Sequence, residues 1–213
     1  MKKYTISLLI FSISFFSLHG ESSSWILKRE SQGVRIYQQP ASPGHAITRG
    51  MIEMESSIDA VLSVMRDNKA CSRWLYACRS SQTISSEPGG SERLDYTIID
   101  SPLLFADRDM YVYSTSEYDK TNQTLTIRNS GRENYDKGQP NRVRIKSIQV
   151  FWQLKKIAPN KISVLYQVSS NPQLMKSSFL DNHVVESVFH TLRNLEKVSQ
   201  QAPYSQAKIP ELQ

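Results

Sequence analysis

Few residues in this 213-residue chain are placed to do chemistry. Residues 100–113, DSPLLFADRDMYVY, set Asp107, Arg108 and Asp109 directly against an aromatic, alternating run. Two carboxylates at that spacing suggest a general acid–base pair, but the arginine between them favours the ionised form of both and argues for ion pairing. Charges beside a half-buried strand are costly unless they pair with one another or with exposed backbone groups. Past Gly20 there are three histidines, His45, His183 and His190. His183 and His190 stand seven residues apart and could share a helix face, yet two ligands without a third make a poor metal site. Surface or lid positions are expected for them, and no metal. Signatures of catalysis are missing: no GxSxG elbow, phosphate-cradling glycine loop, HExxH or CxxC occurs. No catalytic residue and no cofactor is expected.

Cys71 and Cys78, in ACSRWLYAC, are the only cysteines. In an oxidising compartment an isolated pair is expected to be bridged, with two buried thiols as the alternative. On one continuous helix, seven residues would hold the Cα atoms about 10 Å apart, beyond disulfide reach. A bridge therefore requires a helix break between them. No histidine or third cysteine stands near enough to suggest a metal.

The elements that must position these residues follow from periodicity. A short lead over residues 25–28 reads as helical. GVRIYQQ alternates as an edge strand does, and AITRGMIEME reads as a second strand. Ser57 is placed to cap a helix in which Ile58, Val61, Leu62 and Met65 recur at helical spacing to about Asn68; a second short helix holds Trp74 and Leu75. From Ser80 to Pro172 the period is two. Six strand-like runs, SSQTISSE, ERLDYTIID, RDMYVYSTSEYD, TLTIRNS, RVRIKSIQVFWQLKKI and KISVLYQVSS, are separated by turn signals and imply an antiparallel meander. Helical spacing returns over Phe179, Val184, Val185, Val188, Phe189, Leu192, Leu195 and Val198. There are no repeats.

The fold class expected is α+β: a curved antiparallel sheet of eight strands around one long C-terminal helix, with a hollow between them suited to a hydrophobic ligand. Residues 1–20 read as a secretory signal peptide, with Lys2 and Lys3 ahead of a short apolar run and Gly20 at the cleavage point. Its loss lowers the formal charge from +6 to +4, weak evidence for nucleic acid. Arg142, Arg144 and Lys146 alternate along a strand and read as its wet face. Residues 21–201 are expected to form one domain, and 202–213 a polar, disordered tail. The protein is expected to be exported, periplasmic or extracellular, and monomeric.

Four stretches, in this order, resemble the START (StAR-related lipid transfer) domain family in an exported bacterial form: WILKRESQGVRIYQQ, SRWLYACRSS with Trp74, PLLFADRDMYV, and the last helix preceded by SFLDN. The resemblance implies a helix-grip fold holding a lipid or sterol in a tunnel, with transient membrane contact. It also implies a turn at Pro102 and structural roles for Arg108 and Asp109, paired with loop backbone or neighbouring charges at the sheet rim. Leu103 and Leu104 stand where the family pattern has an aromatic residue and a second proline. Five residues after Asp109 the family places a polar group facing the cavity, here Ser114.

By alternation, the expected ligand-facing sets are Leu94, Tyr96 and Ile98; Met110, Val112 and Ser114; and Val164, Tyr166 and Val168. Phe179, Val185 and Phe189 would close the tunnel from the last helix. For each of these, plain core packing is the alternative. Two other functions stay open: an interaction module with a vestigial pocket, and a cyclase- or hydrolase-type enzyme. The enzyme would need a titratable group facing the tunnel, and these positions offer only Tyr96 and Tyr166.

Overall fold

The computed structural model describes residues 24–41, 45–101, 105–133, 135–136, 138–171 and 177–213, without the side chains of 41, 45 and 170–181. The expected signal peptide and the turn at Pro102 to Leu104 lie outside the described residues.

The chain opens with a strand, not the expected helical turn. β1 (Ile26–Ser31) folds back on β2 (Val34–Ala41), with Ser31 opposite Val34. The two residues between them, Gln32 and Gly33, both have positive φ (49° and 78°). That is the two-residue turn whose twist matches a hairpin, and Gln-Gly supplies it. β1 therefore takes the edge, and β2, expected there, lies inside the sheet.

Among the described residues ten strands form one open sheet, nine of them in the order β1-β2-β3-β10-β9-β7-β6-β5-β4. β3 is His45–Met54, β4 Cys78–Ser86, β5 Glu92–Ile99, β6 Asp107–Asp119, β7 Thr124–Gly131, β9 Ser147–Ala158 and β10 Lys161–Asn171. Neighbours along this path are antiparallel, and β8 (Arg142–Arg144) pairs parallel with β6. RVRIKSIQV, expected as the start of one strand, is thus divided between two. The division falls at Ile145, whose N–H donates to the Asp109 carbonyl at 2.8 Å.

α1 (Ile58–Arg66) begins as expected at Ser57, whose hydroxyl accepts from the Ala60 N–H at 3.1 Å. α2 (Cys71–Trp74) is a single turn. It ends in an extended Leu75, and Ala77 (φ 57°) enters the left-handed region before β4 begins at Cys78. This is the break a bridge requires. Cys71 and Cys78 are joined, with Cα atoms 5.8 Å apart. A disulfide closing so small a loop contributes about 2–3 kcal/mol by constraining the unfolded chain.

α3 (Ser177–Ser199) lays Val188, Leu192 and Leu195, all fully buried, across the sheet. Its close approach depends on Gly50 in β3. A Cβ there would lie 2.5 Å from Val188 Cγ1 and 2.6 Å from Leu192 Cδ1. Gly50→Ala should therefore force helix and sheet apart and destabilise the fold by about 1–3 kcal/mol in urea denaturation. An unchanged midpoint would mean that the helix seats without needing this gap.

The expected disordered tail is instead packed against α1. The Tyr204 hydroxyl donates to Asp67 Oδ2 at 2.6 Å, and the Ile209 N–H donates to Asp59 Oδ1 at 2.8 Å. Both Tyr204 and Ile209 are buried. Two apolar side chains among polar neighbours, each beside a backbone or hydroxyl donor with a carboxylate to meet, suffice to hold a segment that composition alone reads as loose. Among the described residues no helix is long and apolar enough to cross a membrane.

Candidate functional site

A cavity of about 160 Å³ lies between the inner face of the sheet and α1 and α2. Its walls differ in kind. Leu62 and Met65 of α1, with Trp74 and Leu75, form an apolar roof. Ile127, Ile148, Val150, Trp152 and Tyr166 continue it down one side, where the Trp152 and Tyr166 rings stack with centroids 3.9 Å apart. β5 and β6 supply the opposite floor, including Arg93, Asp95, Thr97, Ser114 and Ser116.

The charges on that floor are paired. An Arg93 terminal nitrogen donates to Asp95 Oδ1 at 2.8 Å and to the Thr83 hydroxyl at 2.8 Å. The other donates to the Arg66 carbonyl at 3.2 Å. The Thr83 hydroxyl donates in turn to Asp95 at 2.7 Å.

Of the positions expected to face the ligand, the structure brings Met110, Val112, Ser114 and Tyr166 together on the cavity wall. Val164 and Val168 share the face of Tyr166 but pack in the hydrophobic core. Val185 and Phe189 are core residues too, and the Arg29 guanidinium covers the Phe189 ring at 3.5 Å. Among the described residues the roof of this cavity is thus built by α1, α2 and Leu75, and no described side chain of the last helix lines it. The Phe179 side chain lies outside the described residues.

The set on β5 is displaced by one residue. Leu94, Tyr96 and Ile98 stand opposite Tyr113, Tyr111 and Asp109 of β6, on the face away from the cavity, while Arg93, Asp95 and Thr97 point in. β5 carries its polar side chains inward and its apolar ones outward. Taking the apolar face as the inner one therefore turns every side chain over.

The same outer face carries Asp107 and Asp109, while Arg108 points to the other side. The three charges do not pair with one another. Asp107 meets Arg79 at 2.7 Å, and Arg79 also meets Asp100 at 2.5 Å. Arg108, on the inner side of the strand, donates to the Ser101 hydroxyl at 2.9 Å and to the Ala106 carbonyl. Asp109, with its side chain 1% exposed, receives two bonds from Arg144 at 2.8 and 3.1 Å and a third from the Tyr96 hydroxyl at 2.8 Å.

Arg144, expected on a wet face, is instead the counterion of a buried carboxylate. It reaches on to Asp136 at 2.8 Å, which also accepts from the Tyr111 hydroxyl at 2.7 Å. Burial alone would raise the Asp109 pKa, but the bonds from Arg144 and Tyr96 outweigh it and hold the value below the usual range. Hydrogen bonds from Tyr111 and Arg144 lower Asp136 to about 2, and burial with the Asp136 contact pushes Tyr111 up to about 12. The partners of Arg108 are thus loop groups, and those of Asp109 are a charge on β8 and a phenol on β5. Trp74 packs edge-on to Trp152 at 6.3 Å and also roofs the cavity.

His183 and His190 flank the Tyr76 ring, each with its centroid 5.6 Å away. Among the described residues no group of three or more His, Cys, Asp or Glu is placed to hold a metal.

Known structures share this architecture. A STAR-related lipid transfer protein fragment from Xanthomonas axonopodis superposes with a TM-score of 0.76 at 23% identity, covering 83% of this chain and 99% of that one. Human StAR-related lipid transfer protein 5 gives 0.72 at 17% identity, covering 85% and 89%. The ZhuI aromatase/cyclase from a Streptomyces gives 0.50 at 8% identity, covering 72% and 93%. No family-level sequence model and no curated protein matches the chain. The fold is the helix-grip fold of StAR-related lipid transfer domains, as the sequence resemblance implied.

Proposed function

We propose that the protein binds a lipid or similarly hydrophobic small molecule in the cavity between its sheet and its two short helices, and carries it outside the cytoplasm. The observation that carries this reading is the cavity itself, an apolar roof facing a short polar floor inside a START-type fold. Pockets with mostly apolar walls and a few convergent polar groups are the usual form of small-molecule sites. The Cys71–Cys78 bridge and the leader-like residues 1–20 support an exported protein. Its binding domain takes in the packed C-terminal tail, and the ligand is exchanged during transient contact with a membrane by a monomer.

The enzyme reading has one feature in its favour: Asp95, a titratable group, does face the cavity. Its Oδ1 is engaged by both Arg93 and Thr83, which ties the carboxylate to the floor instead of aiming it at a reactant. Carriage is favoured over cyclisation for that reason. The test is mass spectrometry of protein purified from the envelope or medium without detergent. A stoichiometric lipophilic molecule, released on denaturation and rebound by the emptied protein, is expected. Protein that arrives empty and takes up no fluorescent lipid would overturn carriage and leave the interaction module with a vestigial pocket.

A further inference from the structure

The cavity reaches the surface at one end. Of the described residues that line it, Ser91 alone is exposed. Ser91 belongs to the turn between β4 and β5. Beside it on the lining stand Gly90 of the same turn, Ser116 of β6, and Arg66, the last residue of α1. Asn68, just past α1, completes this end. Further back along β5 and β6, Thr97 and Met110 line the cavity and are buried.

The seam between α1 and the β4–β5 hairpin is closed by side-chain hydrogen bonds. An Arg66 terminal nitrogen donates to the Gly89 carbonyl at 2.8 Å and to the Gly90 carbonyl at 3.2 Å. Asn68 Nδ2 donates to the Thr83 hydroxyl at 2.8 Å, and Arg93 reaches back to the Arg66 carbonyl at 3.2 Å. Among the described residues no backbone hydrogen bond links helix to hairpin. Leu62 and Met65, the apolar side chains of α1 at this level, face the hollow. Bonds at the surface are replaced by bonds to water when they open, so a seam of this kind parts more readily than a packed apolar wall.

The hairpin also has the freedom to swing. β4 is the edge strand of the sheet, and its register with β5 shifts between Thr83 and Ser85, just ahead of the turn. Gly89 and Gly90 carry the turn itself at φ 73° and 65°. Small residues at the end of an element are the usual place for a hinge. Glu211 of the C-terminal tail lies against the same turn, since a Cβ at Gly89 would be 2.9 Å from its Oε1.

We infer that ligand enters and leaves the cavity through this seam, with residues 87–91 as a flap and Arg66 as its latch. This rests on the carrier reading and adds the route.

The test is stopped-flow fluorescence of N-phenyl-1-naphthylamine, a neutral probe that brightens in apolar surroundings, mixed with delipidated protein. Arg66→Met keeps the apolar stem of the side chain and removes the latch. It is expected to raise the association and dissociation rates together, each by about fivefold or more, as the loss of a hydrogen bond from a charged donor allows. The converse is a double variant, Asn68→Cys with Thr83→Cys, joined by a short bis-thiosulfonate cross-linker. The reagent takes free thiols and leaves the Cys71–Cys78 bridge intact. Cross-linking should slow both rates by about tenfold or more, because the flap can no longer open. A general loosening of the fold could mimic the first result but not the second, and the cross-link decides alone should Arg66→Met fail to fold.

Rates equal to those of wild type in both variants would overturn the inference; ligand would pass elsewhere, and carriage would survive. Faster exchange in Arg66→Met with no slowing by the cross-link would overturn it too, since loosening would then account for the speed. A probe that never brightens, in protein that arrives empty, would remove the carrier reading and the route with it.

Discussion

Arg144→Ala is expected to lower stability by about 3–5 kcal/mol, the usual cost of stranding one partner of a buried ion pair. The Asp109 side chain is 1% exposed and would keep the Tyr96 hydroxyl but lose its counterion, while Asp136 would lose its charged neighbour. Arg108→Ala, by contrast, removes bonds to a hydroxyl and a carbonyl, each worth about 1 kcal/mol or somewhat more because the donor is charged.

The order of these two effects inverts what the DRD triplet suggests. It is read directly from urea midpoints of the two variants beside wild type. The pH dependence carries the same signature. Asp109 and Asp136 both have lowered folded values, so the stability they contribute is fully present above their unfolded value of about 4. It is lost as pH falls through the folded values, toward about 2 in the case of Asp136. Between those limits Arg144→Ala should show a shallower fall in stability than wild type. An Arg144→Ala midpoint equal to that of wild type would mean that Asp109 is solvated in solution and that no clamp exists.

Val112→Trp and Val168→Trp should separate the cavity from the core. Val112 lines the hollow, so a larger side chain there fills space that a bound ligand, as proposed above, would need. Binding of a fluorescent lipid should disappear with little change in melting temperature. Val168 is on the inner face but packed in the core, where added volume costs about 1–3 kcal/mol through strain. That variant should melt several degrees lower and, where folded, still bind. Retention of full affinity by Val112→Trp would show that ligand does not occupy this cavity.

Much of the scaffold is legible in local patterns because those patterns have one solution. Ser57 ahead of a helical stripe, alternation from β4 through β10, and the spacing of Cys71 and Cys78 across a helix end each admit few structures. The misreadings share a cause. In β5 the alternation is plain, but hydrophobicity selects the wrong inner face, because a cavity with a polar floor reverses that choice. Arg93, Asp95 and Thr97 escape notice for this reason. Opposite charges two residues apart on one face of a strand are the signal that could reveal them. Asp109 visibly needs a partner, but its neighbours in the chain do not say which one. Arg144 lies 35 residues further on, in a strand whose parallel pairing with β6 has no mark in its three residues. The tail at Tyr204 and the lead at residues 25–28 are misread because contacts with distant elements, absent from any local window, decide both.

The pairing of β3 with β10 has a consequence for how the chain comes to be folded. Met54 lies opposite Ile162 and Thr48 opposite Val168, so the sheet joins its first three strands to the rest only through residues about a hundred positions later or more. Contacts so far apart in sequence are slow to form, because the intervening chain must be restrained before the pairing stabilises anything. During synthesis β1, β2 and β3 can make only their own small ribbon, which is marginal in water without a partner layer. β3 gains its second neighbour, and Gly50 its covering helix, only when β10 and α3 have been made. In a chain wired in this way the first three strands wait for their second neighbour until the final third has been made, whereas β4 to β7 can pair with one another earlier.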